Sequence, residues 1–298
     1  MEKRRPAPSK QLKISFYSGL HRFRSATPML KTRRKRPDFR QFCTYSFARS
    51  NNYGLSRTPL RDNARMAGIW FGTSGFSYRE WKPIFYPPDV PEKQFLRYYS
   101  SRLNSVEIDY TFYRMPNAKT IEGWKAATPE NFKFTLKASQ QITHRERLKI
   151  PSEALDYFLS VVPGLENRLG MVLYQLPPFF KCDLQKLETF ISVLPRGISA
   201  AFEFRHESWF TSDVYRVLEK HRVALCIHDA DDHTTPLELT APFTYIRLRR
   251  TEYTAPIRSE WQTRIRGWAE AGTEVFAYIK HEDNPNAPLI ALEFAKDF

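Results

Sequence analysis

The densest chemistry in this chain lies in Glu203-Phe204-Arg205-His206, where a carboxylate, a guanidinium and an imidazole fall within four residues. Side chains alternate between the faces of an extended strand, so Glu203 and Arg205 share a face and His206 stands just beyond. Such a set can move protons beside a stabilised charge. It serves equally as a structural ion pair with a capping histidine. Glu107 and Asp109 are also two apart and project to one face, as do Tyr245 and Arg247. Lys137 precedes Thr143-His144-Arg145, and Gln175 precedes Leu176-Pro177-Pro178. His228-Asp229 and Lys280-His281-Glu282-Asp283 each close an apolar run.

Three function classes follow. In the first, an enzyme acts on a small anionic metabolite bearing a phosphate or carboxylate. Glu107 and Glu203 are then the candidate acid or base, with His206 and His144 as proton carriers. Lys137, Arg205 and Arg247 bind the anion through charge-assisted hydrogen bonds, and Gln175, Asp229 and Tyr245 complete the ligand contacts. In the second, a divalent-metal-dependent hydrolase or isomerase uses Glu107, Glu203, His206, His228 and Asp229, which are O and N ligand types. No H-x-x-E-H or His-x-His spacing occurs and the neighbouring cations oppose a metal, so no metal ligand is assigned and no cofactor is identified. The third class is a non-catalytic ligand-sensing or nucleic-acid-associated protein. Two further segments read both ways. Gly72-Thr73-Ser74-Gly75 is an anion nest or a plain turn. Tyr110, Phe112 and Tyr113, with Trp209-Phe210, stack on a base or sugar or pack loops.

These groups stand at the ends of short apolar runs. The runs are Ile69 to Thr73, Ser105 to Ile108, Phe132 to Leu136, Met171 to Gln175, Ala200 to Phe204, Ala224 to Ile227, Phe243 to Leu248 and Val275 to Ile279. Between them, apolar residues recur three and four apart, as in Leu155, Phe158, Leu159 and Val162, or Leu184, Leu187, Ile191 and Leu194. Ser152 and Asp183 are expected helix caps, and Ser259 with Gln262 reads as a capping box. Strands alternating with helices mean a parallel sheet with crossover helices. Eight repeats in this length favour a closed (β/α)₈ TIM-type barrel over an open doubly wound sheet, and no G-x-G-x-x-G motif supports the latter. In such a barrel the strand C-termini converge on one mouth, which places these polar residues together.

Charge divides the chain. Residues 1–65 hold 17 Lys and Arg against Glu2, Asp38 and Asp62, so the whole net charge of +14 lies there and residues 66–298 carry 29 charges of each sign. The barrel therefore has no global excess to attract a phosphate backbone, and nucleic acid is not an expected partner for it. Residues 1–65 contain five prolines and no sustained apolar period, so a disordered basic extension is expected. It reads as a targeting segment, as a basic arm around Lys31-Thr32-Arg33-Arg34-Lys35-Arg36, or as sequence upstream of a true start at Met66. Cys43, Cys182 and Cys226 are widely spaced, which signals neither a disulfide framework nor a zinc site. No apolar run approaches the roughly 20 residues of a membrane helix. A soluble, cytoplasmic protein is expected.

The segments Gly72-Thr73-Ser74-Gly75, Phe85-Tyr86-Pro87, Val106-Glu107-Ile108-Asp109, Thr111-Phe112-Tyr113-Arg114, Lys137-Ala138-Ser139, Gln175-Leu176-Pro177-Pro178, Glu203-Phe204-Arg205-His206 and Tyr245-Ile246-Arg247-Leu248 follow in order. Together, over about residues 68–296, they resemble the DUF72 or YecE-like family of uncharacterised barrels. The resemblance implies a TIM-type barrel and bacterial cytoplasmic proteins, and it implies no activity. Phe76 stands where Trp is common in that family. Arg249-Arg250 and Lys280-His281-Glu282-Asp283 also depart from its pattern, which gives this chain a more charged mouth.

Overall fold

The computed structural model of the protein describes residues 66–280 and 285–298. The basic extension expected over residues 1–65, and His281, Glu282 and Asp283, lie outside the described residues. Among those described, eight strands are present: β1 (Ile69–Thr73), β2 (Ser105–Ile108), β3 (Lys133–Lys137), β4 (Leu169–Gln175), β5 (Ala200–Glu203), β6 (Ala224–Asp229), β7 (Phe243–Leu248) and β8 (Glu274–Ile279). Every laddered pair is parallel, in the order β1-β8-β7-β6-β5-β4-β3-β2. Helices α1 (Phe95–Ser100), α2 (Ala118–Ala127), α3 (Glu153–Val161), α4 (Leu184–Ser192), α5 (Ser212–His221), α6 (Ala255–Glu270) and α7 (Ala287–Ala295) surround them. This is the (β/α)₈ architecture with one helix missing, because residues 230–242 join β6 to β7 without a helix. None of the described helices is long and apolar enough to cross a membrane.

Strand pleating sorts the side chains into two cores. Val106, Ile108, Phe134, Leu136, Phe202, Leu225, Ile227, Ile246 and Leu248 face the helices, while Met171, Leu173, Ala201, Ala224, Cys226, Tyr245, Phe276 and Tyr278 fill the barrel. Small Ala201 and Ala224 leave room for the rings of Tyr245 and Tyr278, whose centroids are 5.2 Å apart. The buried Tyr278 hydroxyl is satisfied by Ser105 Oγ at 2.6 Å and Thr135 Oγ1 at 2.8 Å.

The barrel closes between β1 and β2 by an unusual device, because no strand ladder runs there. Asn104 replaces a ladder partner with its amide: Oδ1 accepts from Phe71 N at 2.8 Å and Nδ2 donates to Ile69 O at 2.9 Å. The Tyr99 hydroxyl continues the seam, accepting from Thr73 N at 2.8 Å and donating to Ser105 O at 3.0 Å. Above it, Gly75 N donates to Glu107 O at 2.7 Å. The strands pass so closely that a Cβ on Gly72 would stand 2.0 Å from Ser105 O, a contact only glycine avoids.

Several local expectations shift. Ser152 and Asp183 cap α3 and α4 as predicted, accepting from Leu155 N and Lys186 N at 3.0 Å each. Ser259 does not start a helix. It lies inside α6, which begins at Ala255 with Pro256 in its first turn, where the fixed proline φ fits and no N–H is missed. The third strand sits one residue later than expected, so Lys137 belongs to β3 itself. The sixth extends through His228 and Asp229, which pair with Arg247 and Leu248 of β7.

Candidate functional site

Arg247 is the hub of the barrel mouth. Its position in β7 points it inward above Tyr245, and its side chain is only 3% exposed. Nη1 donates to Glu203 Oε2 at 2.6 Å, and Nη2 donates to Glu107 Oε1 at 2.8 Å and to Asp109 Oδ1 at 3.3 Å. One guanidinium thus ties together carboxylates from β2 and β5. Its Nε is buried and finds no acceptor among the described residues.

Glu107 and Glu203 are fully enclosed beside it. Glu107 accepts from Ser74 Oγ at 2.6 Å, from Arg249 Nη2 at 3.2 Å and from the Tyr245 hydroxyl, as well as from Arg247. Burial pushes its pKa up, but the Arg247 and Arg249 charges outweigh this and hold it down at about 2. Glu203 accepts from Gln175 Nε2 at 2.8 Å and Arg205 Nε at 2.9 Å. Burial again opposes its ionisation, and Arg247 and Arg205 hold it well below the usual carboxylate range. Both carboxylates are therefore fixed anions whose four oxygens each accept at least one hydrogen bond.

Above this floor opens a cavity of about 710 Å³. Lys137, Arg205, Arg249 and Lys280 supply cations to its wall, and Arg247 reaches it from below. Asp109 is the acidic residue on the wall, and Gln175 and His228 add neutral polar groups. Burial, and then the charge of Glu107, raise the Asp109 pKa against the pull of Arg247 and Lys137. Burial and the charge of Arg247 lower that of Lys137, whose Nζ lies 3.6 Å from Asp109 Oδ1. His228 is pushed down to about 4, first by burial and then by the Arg247 and Arg205 charges, with Glu203 opposing. It is a neutral imidazole at physiological pH. Tyr110 and Tyr113, 60% and 71% exposed, form the rim.

The predicted site residues separate accordingly. Glu107, Glu203, Arg205, Arg247, Lys137, Gln175 and Tyr245 are drawn into one network. Asp229 is not, because pleating turns it to the helix layer. There it accepts from Arg250 Nε and Nη2 at 2.8 Å, Thr234 Oγ1 at 2.6 Å, Tyr253 Oη at 3.0 Å and Trp261 Nε1 at 3.1 Å. His206 lies outside the cavity lining and caps the turn Glu207–Trp209, accepting from Ser208 N at 3.2 Å. His144 packs its ring edge on Phe112, with Nδ1 2.9 Å from Thr143 Oγ1, and it too lies outside the lining. The Gly72 to Gly75 segment acts as a closure turn, since Thr73 N, Ser74 N and Gly75 N bond to Tyr99, Ile279 and Glu107. Trp209 packs a loop, stacked on Phe204 at 4.6 Å. Among the described residues no three His, Cys, Asp or Glu side chains converge to hold a metal.

Asp109 and His228 line the cavity although the anion reading of the sequence gives them no role; spacing sets Asp109 beside Glu107, and His228 enters only the metal reading. The signal for His228 is parity, since it lies two residues past the inward Cys226 on β6; Asp109 follows the same spacing from Glu107 but stands one residue beyond the end of β2, in a 3-10 turn.

The model of the family described as "Protein of unknown function DUF72" matches residues 70–298. The chain belongs to this family. Among curated relatives, this DUF72 protein is 36% identical over 155 residues to the UPF0759 protein YunF of Bacillus subtilis, covering 49% of this chain and 54% of YunF. It is 29% identical over 116 residues to the UPF0759 protein YecE of Escherichia coli K12, covering 39% and 43%. The chain thus spans about half the length of the curated relatives it matches. A crystal structure of a DUF72 family protein from Thermotoga maritima superposes with a TM-score of 0.69 at 27% identity, over 77% of this chain and 98% of that one. A second, from Enterococcus faecalis, gives 0.60 at 22% identity, over 78% and 97%, and speaks for the fold alone.

Proposed function

We propose that the barrel mouth binds a small anionic metabolite, bearing a phosphate or carboxylate, and acts on it by acid–base chemistry. The observation that carries this reading is the charge imbalance of the cavity. Among the described residues, Arg247, Arg205, Arg249 and Lys137 share the three carboxylates Glu107, Glu203 and Asp109, so four cations of the mouth meet three acids. An anion offsets that excess through charge-assisted hydrogen bonds, and a guanidinium fork can bond two oxygens of either a carboxylate or a phosphate.

Within this reading the proton-transfer role passes from Glu107 and Glu203 to a carboxyl that faces the cavity. Asp109 has a raised proton affinity and faces the cavity, whereas Glu107 and Glu203 hold their charge firmly. His228, neutral and in the wall, accepts or donates a hydrogen bond without adding charge. Glu107 and Glu203 become positioning residues that fix Arg247, Arg205 and Arg249.

The test is calorimetric titration of inorganic phosphate and of succinate into the full chain and into Arg205→Ala and Lys280→Ala. Each loss of a charge-assisted hydrogen bond is expected to weaken binding by about tenfold. The basic extension is unchanged in both variants, so it cancels from the comparison. Equal affinities in all three proteins would overturn the proposal.

A further inference from the structure

One group in the mouth is chemically out of keeping with mere anion binding. Lys137 ends β3 and faces inward, with 12% of its side chain exposed. A buried ammonium normally satisfies its three N–H donors. Three other lysines among the described residues find close acceptors: Lys133 donates to Asn167 O at 2.6 Å, and Lys125 and Lys220 each reach a glutamate at 2.7 Å. Lys137 Nζ instead lies 4.5 Å from the centroid of the Phe112 ring and 3.6 Å from Asp109 Oδ1, beyond hydrogen-bond distance. It stands among the mouth's other cations, Arg205 and Arg247. An amine that is desolvated, underbonded and crowded by positive charge is the recognised setting for a nucleophilic lysine.

We propose that Lys137 forms an imine with the carbonyl carbon of an anionic aldehyde or ketone, with Asp109 as its proton carrier. This rests on the anionic-ligand reading above and names the substrate class for it. The Asp109 carboxylate takes a proton from the Lys137 ammonium, and the freed amine attacks the carbonyl carbon. The C–N bond forms as the C=O π pair moves to oxygen, and a proton shifts from nitrogen to that oxygen, giving a neutral carbinolamine. Asp109 then returns its proton to the hydroxyl, which leaves as water, and the nitrogen lone pair closes the C=N bond. The product is a protonated imine and a carboxylate, so the net change is the exchange of a carbonyl oxygen for Lys137 nitrogen with release of one water. No redox partner is needed. The iminium then draws electrons from the neighbouring carbon, the usual advantage of such a bond for breaking C–H or C–C bonds.

The experiment is reductive trapping. The full chain is incubated with glyoxylate, with dihydroxyacetone phosphate or with neutral acetaldehyde, each with cyanoborohydride, and adducts are located by peptide mass spectrometry. The expected result is a dominant adduct on Lys137, formed at least about tenfold faster than on any other lysine. Both anionic probes should outpace acetaldehyde, inorganic phosphate should protect, and Asp109→Asn should slow labelling. Lys137→Arg, checked for a native melting transition, should lose the adduct. Labelling spread evenly over surface lysines, while phosphate still binds at the mouth, overturns the imine and leaves the anion reading standing. Selective labelling of Lys137 that is as fast with acetaldehyde and unprotected by phosphate overturns the anion reading and keeps the reactive amine. No selective labelling and no phosphate binding overturn both.

Discussion

Replacing Arg247 by Met keeps most of the volume and removes the charge that lies between Glu107 Oε1 at 2.8 Å and Glu203 Oε2 at 2.6 Å. Breaking a buried ion pair by removing one partner costs about 3–5 kcal/mol, because the remaining charge is left buried and uncompensated. Here two carboxylates lose a partner, but Glu107 keeps Arg249 and Glu203 keeps Arg205, so that single-pair range is the expected loss at pH 7.5. For a barrel of this size, each kcal/mol moves the melting temperature by about 2–4 °C, which gives a fall of roughly 6–20 °C. The pH dependence distinguishes this cause from lost packing. In the native protein the folded pKa of Glu107 is depressed, so its stabilising contribution is complete above 4.5 and is lost as pH falls toward about 2. In Arg247→Met the burial of the two carboxylates is opposed by Arg249 and Arg205 alone, so their pKa values should rise, and acidification from pH 7.5 to 5 should relieve the variant and narrow its deficit. Adding Glu203→Gln to Arg247→Met should recover part of the loss at pH 7.5. Melting curves of the three proteins at the two pH values are sufficient. A deficit under about 1 kcal/mol, or one that is the same at both pH values, refutes the reasoning that Arg247 is the counter-charge of this floor.

Two further outcomes test the seam and the neutral histidine. Tyr99→Phe removes the hydroxyl that joins Thr73 N to Ser105 O and leaves both groups buried, which should cost about 1–3 kcal/mol in urea denaturation. For His228, the folded pKa of about 4 lies below its ordinary 6.5, so between these values the unfolded chain binds more protons and stability rises with pH. His228→Asn should flatten the melting temperature across that window, and an unchanged slope would remove the histidine from the account.

Much of the mouth was legible from one rule, the alternation of strand side chains. Glu203 with Arg205, and Tyr245 with Arg247, were paired on one face by spacing, and each pair does point inward. The same rule applied to β6 selects His228, two residues past Cys226, over Asp229, which shares parity with Ile227 and faces α6. The spacing that pairs Asp109 with Glu107 also holds, one residue past the end of β2. Loop residues obey no such period, so His144 and His206 could not be placed by it. The role of Arg247 as a hub was beyond any local reading, because its partners lie 140 and 44 residues away and meet only on closure of the barrel. The start of α6 was misplaced because Ser259 with Gln262 mimics a cap, while Pro256 marks the real first turn.

The side-chain seam between β1 and β2 gives the barrel a built-in reporter. The amide protons of Phe71 and Thr73 rest on acceptors that release by a rotamer change of Asn104 or Tyr99, without separating two strands. Such protons exchange with solvent through small local openings, whereas ladder protons wait for larger ones. The same seam ends at Ser74 and Glu107, directly against Arg247 and Arg249. Occupancy of the mouth should therefore be audible in deuterium uptake along β1, a measurement that requires no knowledge of the reaction.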